Sequence, residues 1–127
     1  MITELVDHFR ATTTSFRTIA LAHSVTPIEN LFDETPAAYF YLDSESAETF
    51  GMLGLVSQDV TRLVHVFLVA RHDQMDTLRT ESRVALIGFA PTSHAPMEFS
   101  DGRIATINGE WLWWLDAYRT RTEYRQF

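Results

Sequence analysis

The sequence predicts an α+β fold: a mostly antiparallel β-sheet with two main helices packed against it and a C-terminal β-meander. Three observations carry this. Two segments repeat apolar or small residues at spacings of three and four: Ile2, Leu5, Val6, Phe9, and Met75, Leu78, Ser82, Ala85, Leu86, Phe89. Between them, residues 53–70 read as strand. Beyond them, Asp101-Gly102 and Asn108-Gly109 stand between alternating runs, and both dipeptides are strong hairpin signals.

Taken in order, residues 2–11 form the first helix. The "ATTTS" run breaks it, and "FRTIALA" (Phe16–Ala22) suits a short strand or more helix equally. "TPIENLF" reads as a short helix, with Thr26 as N-cap and Pro27 at the first helical position. Pro36 opens an aromatic strand, "AAYFYL", that ends at Leu42, and "DSESAE" follows as an acidic turn. In "TRLVHVFLVA" both alternating faces are apolar, which predicts a central strand covered on both sides. Asp73 with Asp76 resembles a capping box for the second main helix, which Gly88 and Pro91 end. "PTSHAP" is a loop, and the remainder reads as strand, hairpin, strand, hairpin and a long final strand. No repeat or linker divides the chain, so residues 1–127 are expected to form one domain.

Composition narrows the function classes. There is no cysteine, which excludes a disulfide framework, a thiolate zinc site and a Cys nucleophile. The N-terminus lacks the pattern of a signal peptide, and no apolar run matches a bilayer span; a cytoplasmic start and no membrane partner are expected. The formal net charge is −7, and all ten basic residues are arginines. Residues 1–59 hold nine acids and two arginines; residues 60–127 hold eight of each. That imbalance suits contacts between copies and argues against a duplex-DNA binder, which normally has a basic footprint.

The five histidines form no HExxH or tight cluster, and no GxSxG or P-loop is present. His65 within its apolar strand reads first as a hydrogen-bonded strand histidine, and His72 beside Asp73 as a solvated pair. Asp43, Glu45 and Glu48 have the chemistry of a hard-cation site but read better as a solvated loop. Asp116, among aromatics, suits a buried acid with a raised pKa, but a strand carboxylate more often pairs with a neighbouring arginine or simply faces water. Nothing assembles a nucleophile, a base and an oxyanion site, so no catalytic, metal or cofactor residue is assigned.

The last strand holds the remaining signal. Arg119, Arg121, Glu123 and Arg125 alternate on one face, continued inward by Trp113 and Leu115. Tyr118, Thr120, Thr122 and Tyr124 lie on the other, continued by Trp114. This suits an edge strand guarded by charge, or an edge whose arginines meet the acidic half of a neighbouring copy.

Three motifs then resemble the phage tail terminator proteins, whose fold is that of lambda minor tail protein U, in the branch of Mu-like phages and prophages. They are "ALIGFAP" (Ala85–Pro91), the hairpin-like run Phe99–Ile104, and Trp113, Trp114, Asp116, Tyr118 and Thr120 of the final strand. They follow "TPAAYFYLD" in the family's order, with Phe89 where Trp is expected and Asp43 where Pro is common. The resemblance implies a non-catalytic virion protein of the tail and neck, assembled in the host cytoplasm. It implies a six-membered ring of the chain that caps the tail tube, stops its polymerisation and meets the head–tail connector. The partners it implies are the chain itself, the tube protein and the connector, with genomic DNA only as passing cargo. Charge alone suggests Arg119, Arg121 and Arg125 for the subunit interface, and Asp43, Glu45 and Glu48 for the lumen or a ring contact. Trp113, Trp114, Tyr118, Phe89 and Leu86 are the expected core anchors. Another neck or head-completion protein is the near alternative. A small α+β ligand-binding or hydrolytic domain, with a pocket containing His65 or Asp116, is the distant one.

Overall fold

The computed structural model describes residues 1–22, 31–52 and 55–126, without the side chains of residues 31, 32, 50–52, 55, 125 and 126. The elements are α1 (Ile2–Thr12), β1 (Thr18–Leu21), α2 (Leu31–Glu34), β2 (Ala37–Met52), β3 (Leu55–Arg71), α3 (His72–Leu86), β4 (Glu98–Asn108) and β5 (Trp111–Gln126). The five strands make one sheet in the order β1-β2-β3-β5-β4. Every pair is antiparallel except β1 with β2. The fold is therefore α+β, as predicted. Phe16–Ala22 resolves as strand over Thr18–Leu21, while Thr26 and Pro27 lie outside the described residues.

α1 and α3 pack on one face of the sheet because their apolar stripes meet its alternating apolar positions. Leu5 and Phe9 from α1, and Met75, Leu78 and Leu86 from α3, close on Phe40, Val64, Val66, Leu68 and Tyr118. Phe9 sits edge-on to Phe40 at 5.1 Å between ring centres. Burying each such side chain contributes about 1.5–3 kcal/mol. α3 begins at His72 with Arg71 as N-cap and no side-chain cap, so Asp73 stands in the first turn instead of capping it. After Leu86 the chain turns through Gly88, at φ +86°. Hydrogen bonds from Gly88 N to Met97 O and from Met97 N to Phe89 O then tie the helix exit to the start of β4.

Three expectations are corrected. β2 does not end at Leu42, and "DSESAE" is strand, not turn: Ser44–Met52 pairs with Leu55–Leu63 after a register shift between Leu42 and Ser44. Cross-strand hydrogen bonding to β3 overrides the weak strand preference of Asp, Ser and Glu. Asp101-Gly102 is no hairpin either. It lies inside β4, with register shifts flanking it, so the meander is the single β4–β5 hairpin at Asn108-Gly109, where Gly109 takes φ +62°. Finally, β5 is an inner strand of the sheet over Trp111–Arg119, where β4 pairs with it, and it is not an edge along its whole length.

The lengths of the elements decide what the helices can cover. The 17 residues of β3 span about 55 Å, whereas the 15 of α3 span about 22 Å. The outer parts of β2, β3 and β5 thus project past the helices as a three-stranded arm. From Asp43 to Thr49 every side chain on β2 is exposed. β3 is central within the sheet, but helices cover only one of its faces. Val64, Val66 and Leu68 are fully buried under them, and Leu63, His65 and Phe67 on the other face are half-buried.

Candidate assembly surface

A buried ion pair fastens the inner end of the last strand. Asp116 is fully buried on the helix-side face. Arg83 of α3 grips it with two hydrogen bonds, Nε to Oδ2 at 3.2 Å and NH2 to Oδ1 at 3.1 Å. Trp114 Nε1 donates to Oδ1 at 2.6 Å. The forked guanidinium matches the carboxylate geometry, which a lysine would not. Asp116 in turn holds the Arg83 guanidinium more firmly protonated than usual. Burial, with the Asp116 charge adding to it, pushes the Tyr118 hydroxyl well above its ordinary value. Arg83 also lies over the Phe99 ring at 4.4 Å, and Arg79, one turn earlier, over Trp114 at 4.2 Å while pairing with Asp76.

Gly102 stands opposite Asp116, between the two register shifts of β4. A Cβ there would sit 2.5 Å from Asp116 Oδ1 and 3.1 Å from Trp114 Nε1. Only glycine lets β4 run over this cluster. The Asp-Gly signal therefore marks close approach of the backbone, not a turn.

Arg62 organises the arm. Its Nε lies 3.3 Å from Glu45 Oε1 on β2, its NH2 donates to Tyr124 OH on β5 at 2.8 Å, and its NH1 is 3.0 Å from His94 Nε2. One guanidinium thus joins two strands to the Pro91–Pro96 loop. That loop lies against β5 through Ala95 N to Arg121 O, Thr120 Oγ1 to Ala95 O and Thr122 Oγ1 to Ser93 O. At its far side Thr92 N and Oγ1 both donate to the Glu4 carboxylate. The backbone hydrogen bond from Thr92, then the one from its hydroxyl, holds Glu4 below the usual carboxylate range.

The face away from the helices is open. Its inner half is aromatic: Tyr39, Tyr41 and Phe67 are half-buried there, as are Trp111 and Trp113. Tyr41 OH and His65 Nδ1 are 2.7 Å apart, with Asp43 Oδ1 3.7 Å from the same nitrogen. His65 also lines a shallow hollow of about 410 Å³ with Asp43, Asp101 and Arg103. The outer half of the face is charged. Glu48, Asp59 and Glu123 stand abreast on β2, β3 and β5. Arg119 and Arg121, both exposed, line a second hollow of about 520 Å³ with Thr61, Pro96 and Glu98.

The sequence-selected residues are therefore spread out. Arg119 pairs with Glu98 at 3.2 Å, whereas Arg121 makes no ion pair among the described residues. Arg125 lies in β5, its side chain undescribed. Asp43 and Glu48 are on the open face, and Glu45 faces the opposite way toward Arg62. Within one chain β3 separates the acids of β2 from the arginines of β5. Leu86 and Tyr118 are fully buried, and Trp114 and Phe89 pack partly buried against the core. Phe89 lies beyond the helix, stacked on His8 at 3.8 Å. Trp113 is half-buried on the open face. Asp116 is closed off by Arg83 and lines neither hollow. Sequence reasoning missed Arg62, Arg83 and Gly102. Only Gly102 carried a local signal, and it pointed to a turn.

No helix among the described residues is long and apolar enough to cross a membrane. No curated protein matches the chain. A family model, that of the phage tail terminator protein, matches residues 2–126, nearly the whole length. The chain belongs to the phage tail terminator family, and its role is that of a structural component of a phage tail.

Proposed function

We propose that the protein assembles into a ring on the end of the growing tail tube, arrests its polymerisation and presents the opposite surface to the head–tail connector. The family match over residues 2–126 is the observation that carries this reading. The surface supports it. Arg119 and Arg121 project from an open sheet face, and Asp43, Glu45 and Glu48 are exposed on a strand of the same arm. Charge complementarity of this kind fits contacts between copies. A net charge of −7 suits a ring through which DNA passes without being held by its phosphates. The activity is structural, with no catalytic step assigned.

Mixing the purified protein with cognate tube protein during assembly, and imaging by negative-stain electron microscopy, tests this. Short tubes carrying a ring at one end are expected. Bare tubes of unchanged length would refute it.

A further inference from the structure

The half-buried imidazole of His94 sits between two partners that leave it one form. Thr92 O, a carbonyl, can only accept, and it lies 2.8 Å from Nδ1. Arg62 NH1 can only donate, and it lies 3.0 Å from Nε2. Nδ1 therefore carries the ring proton and Nε2 the lone pair. A second proton would have to go on Nε2, against a guanidinium that stays charged. The Arg62 charge is also weakly compensated. Its side chain is 17% exposed, and Nε makes no hydrogen bond among the described residues, although the Glu45 carboxylate lies 3.3 Å away. NH2 donates to a hydroxyl, that of Tyr124. The loop that presents His94 is itself held in an unfavourable shape. His94 N closes a turn onto Pro91 O, and within that turn Ser93 takes φ +63°, a left-handed backbone that its side chain disfavours.

We propose that His94 is an acid-released latch: a proton on Nε2 removes the acceptor for Arg62, sets two cations in contact and frees the Pro91–Pro96 loop from the arm. The charged and titratable groups around the ring come from four elements. They are Arg62 on β3, Glu45 on β2, Tyr124 on β5 and Glu4 on α1, with the N-terminal ammonium near Glu4. Glu4 attracts a protonated ring, but its carboxylate is engaged by Thr92 N and Oγ1. Arg62 touches the ring directly, and at that separation repulsion between like charges outweighs a more distant attraction. The opened loop thus binds the second proton more readily than the closed one. Closure is fully present with the ring neutral and is lost as the pH falls and the ring becomes charged. Arg62 joins both flanking strands to the loop, so release loosens the arm, while α1 and α3 stay on their apolar core. The latch belongs to the single chain and does not depend on ring formation.

Heteronuclear NMR of the full chain tests this between about pH 8 and about pH 5.5, the range in which histidine side chains ordinarily change charge. Glu4, held below 4.5, keeps its charge throughout. The imidazole nitrogen signals give the tautomer and the titration of each histidine. Exchange of the Ala95 amide, which bonds to Arg121 O at 2.8 Å, reports whether the loop is closed. The expected result is a proton on Nδ1 of His94 at the upper pH. Ala95 protection, corrected for the intrinsic effect of pH on exchange, should then fall about tenfold or more in step with His94 protonation. His94→Gln supplies an amide oxygen that can accept from Arg62 at any pH, and should hold Ala95 protected across the range. A proton on Nε2 at the upper pH would overturn the latch. So would a ring that never titrates in this range, or Ala95 protection that stays level while His94 titrates. A fall that follows His8, His65 or His72 instead, or that persists unchanged in His94→Gln, would overturn it as well.

Discussion

At Asp116 a carboxylate without solvent exposure is held by Arg83 and Trp114, and the nearby space is filled so tightly that β4 passes only as Gly102. Gly102→Ala should therefore destabilise the fold by about 1–3 kcal/mol, read as a lower urea midpoint at unchanged slope. Asp116→Ala leaves a partly exposed guanidinium unpaired and should cost about 2–3 kcal/mol, below the usual figure for a fully buried pair because Arg83 retains 32% side-chain exposure. Glu4 gives a pH prediction. The folded state lowers its pKa below the usual 4.5, so its contribution is fully present above that value and lost as pH falls through the lowered one. Glu4→Gln should consequently show a shallower fall in melting temperature from about pH 5 to about pH 3 than the unmodified chain. At this scale the sequence was only partly legible. It left Asp116 open between a buried acid, an arginine's partner and a residue facing water; the side chain is buried and paired with Arg83. The arginine comes from a helix 33 positions away, a distance no local pattern encodes.

The two main helices were legible because their apolar stripes are long and periodic, and Met75 to Leu86 lies buried as that stripe requires. Strand ends were harder to read. Asp43 to Thr49 resembles a turn by composition, yet pairing with β3 makes it strand, and both its faces can be polar because the helices do not reach it. Asp101-Gly102 and Asn108-Gly109 look alike in sequence. Only the second turns the chain; the first lies over Asp116. The arm as an element depends on Arg62, which joins β2, β5 and the Pro91–Pro96 loop. Arg62→Ala should speed amide exchange in Ser44–Thr49 and Thr120–Tyr124 by about tenfold or more, equivalent to about 1.4 kcal/mol of lost local stability, while α3 keeps its protection. Equal loss of protection in α3 would mean that the arm and the helices open as one unit.

For the whole molecule, the fold, the family and the charge distribution point the same way. α1 and α3 pack on one face of the sheet and do not reach the outer parts of β2, β3 and β5. Charge patterning was legible in sequence as an acidic first half and a final strand rich in arginine. What was not legible was the geometry: β3 lies between the two sets, and Glu45 pairs with Arg62 and Arg119 with Glu98 instead of with each other. On the proposed reading, in which Arg121 serves the subunit interface, Arg121→Glu should reduce ring formation on tubes by about tenfold or more, because it reverses the charge of an exposed side chain there. Ring counts per tube in electron micrographs would show it. The most direct test of the terminator role is tube elongation followed by light scattering, with the protein added part-way through assembly. Growth should stop at amounts far below one copy per tube subunit, since one ring per tube is enough. Scattering that keeps rising as it does without the protein would contradict the assignment.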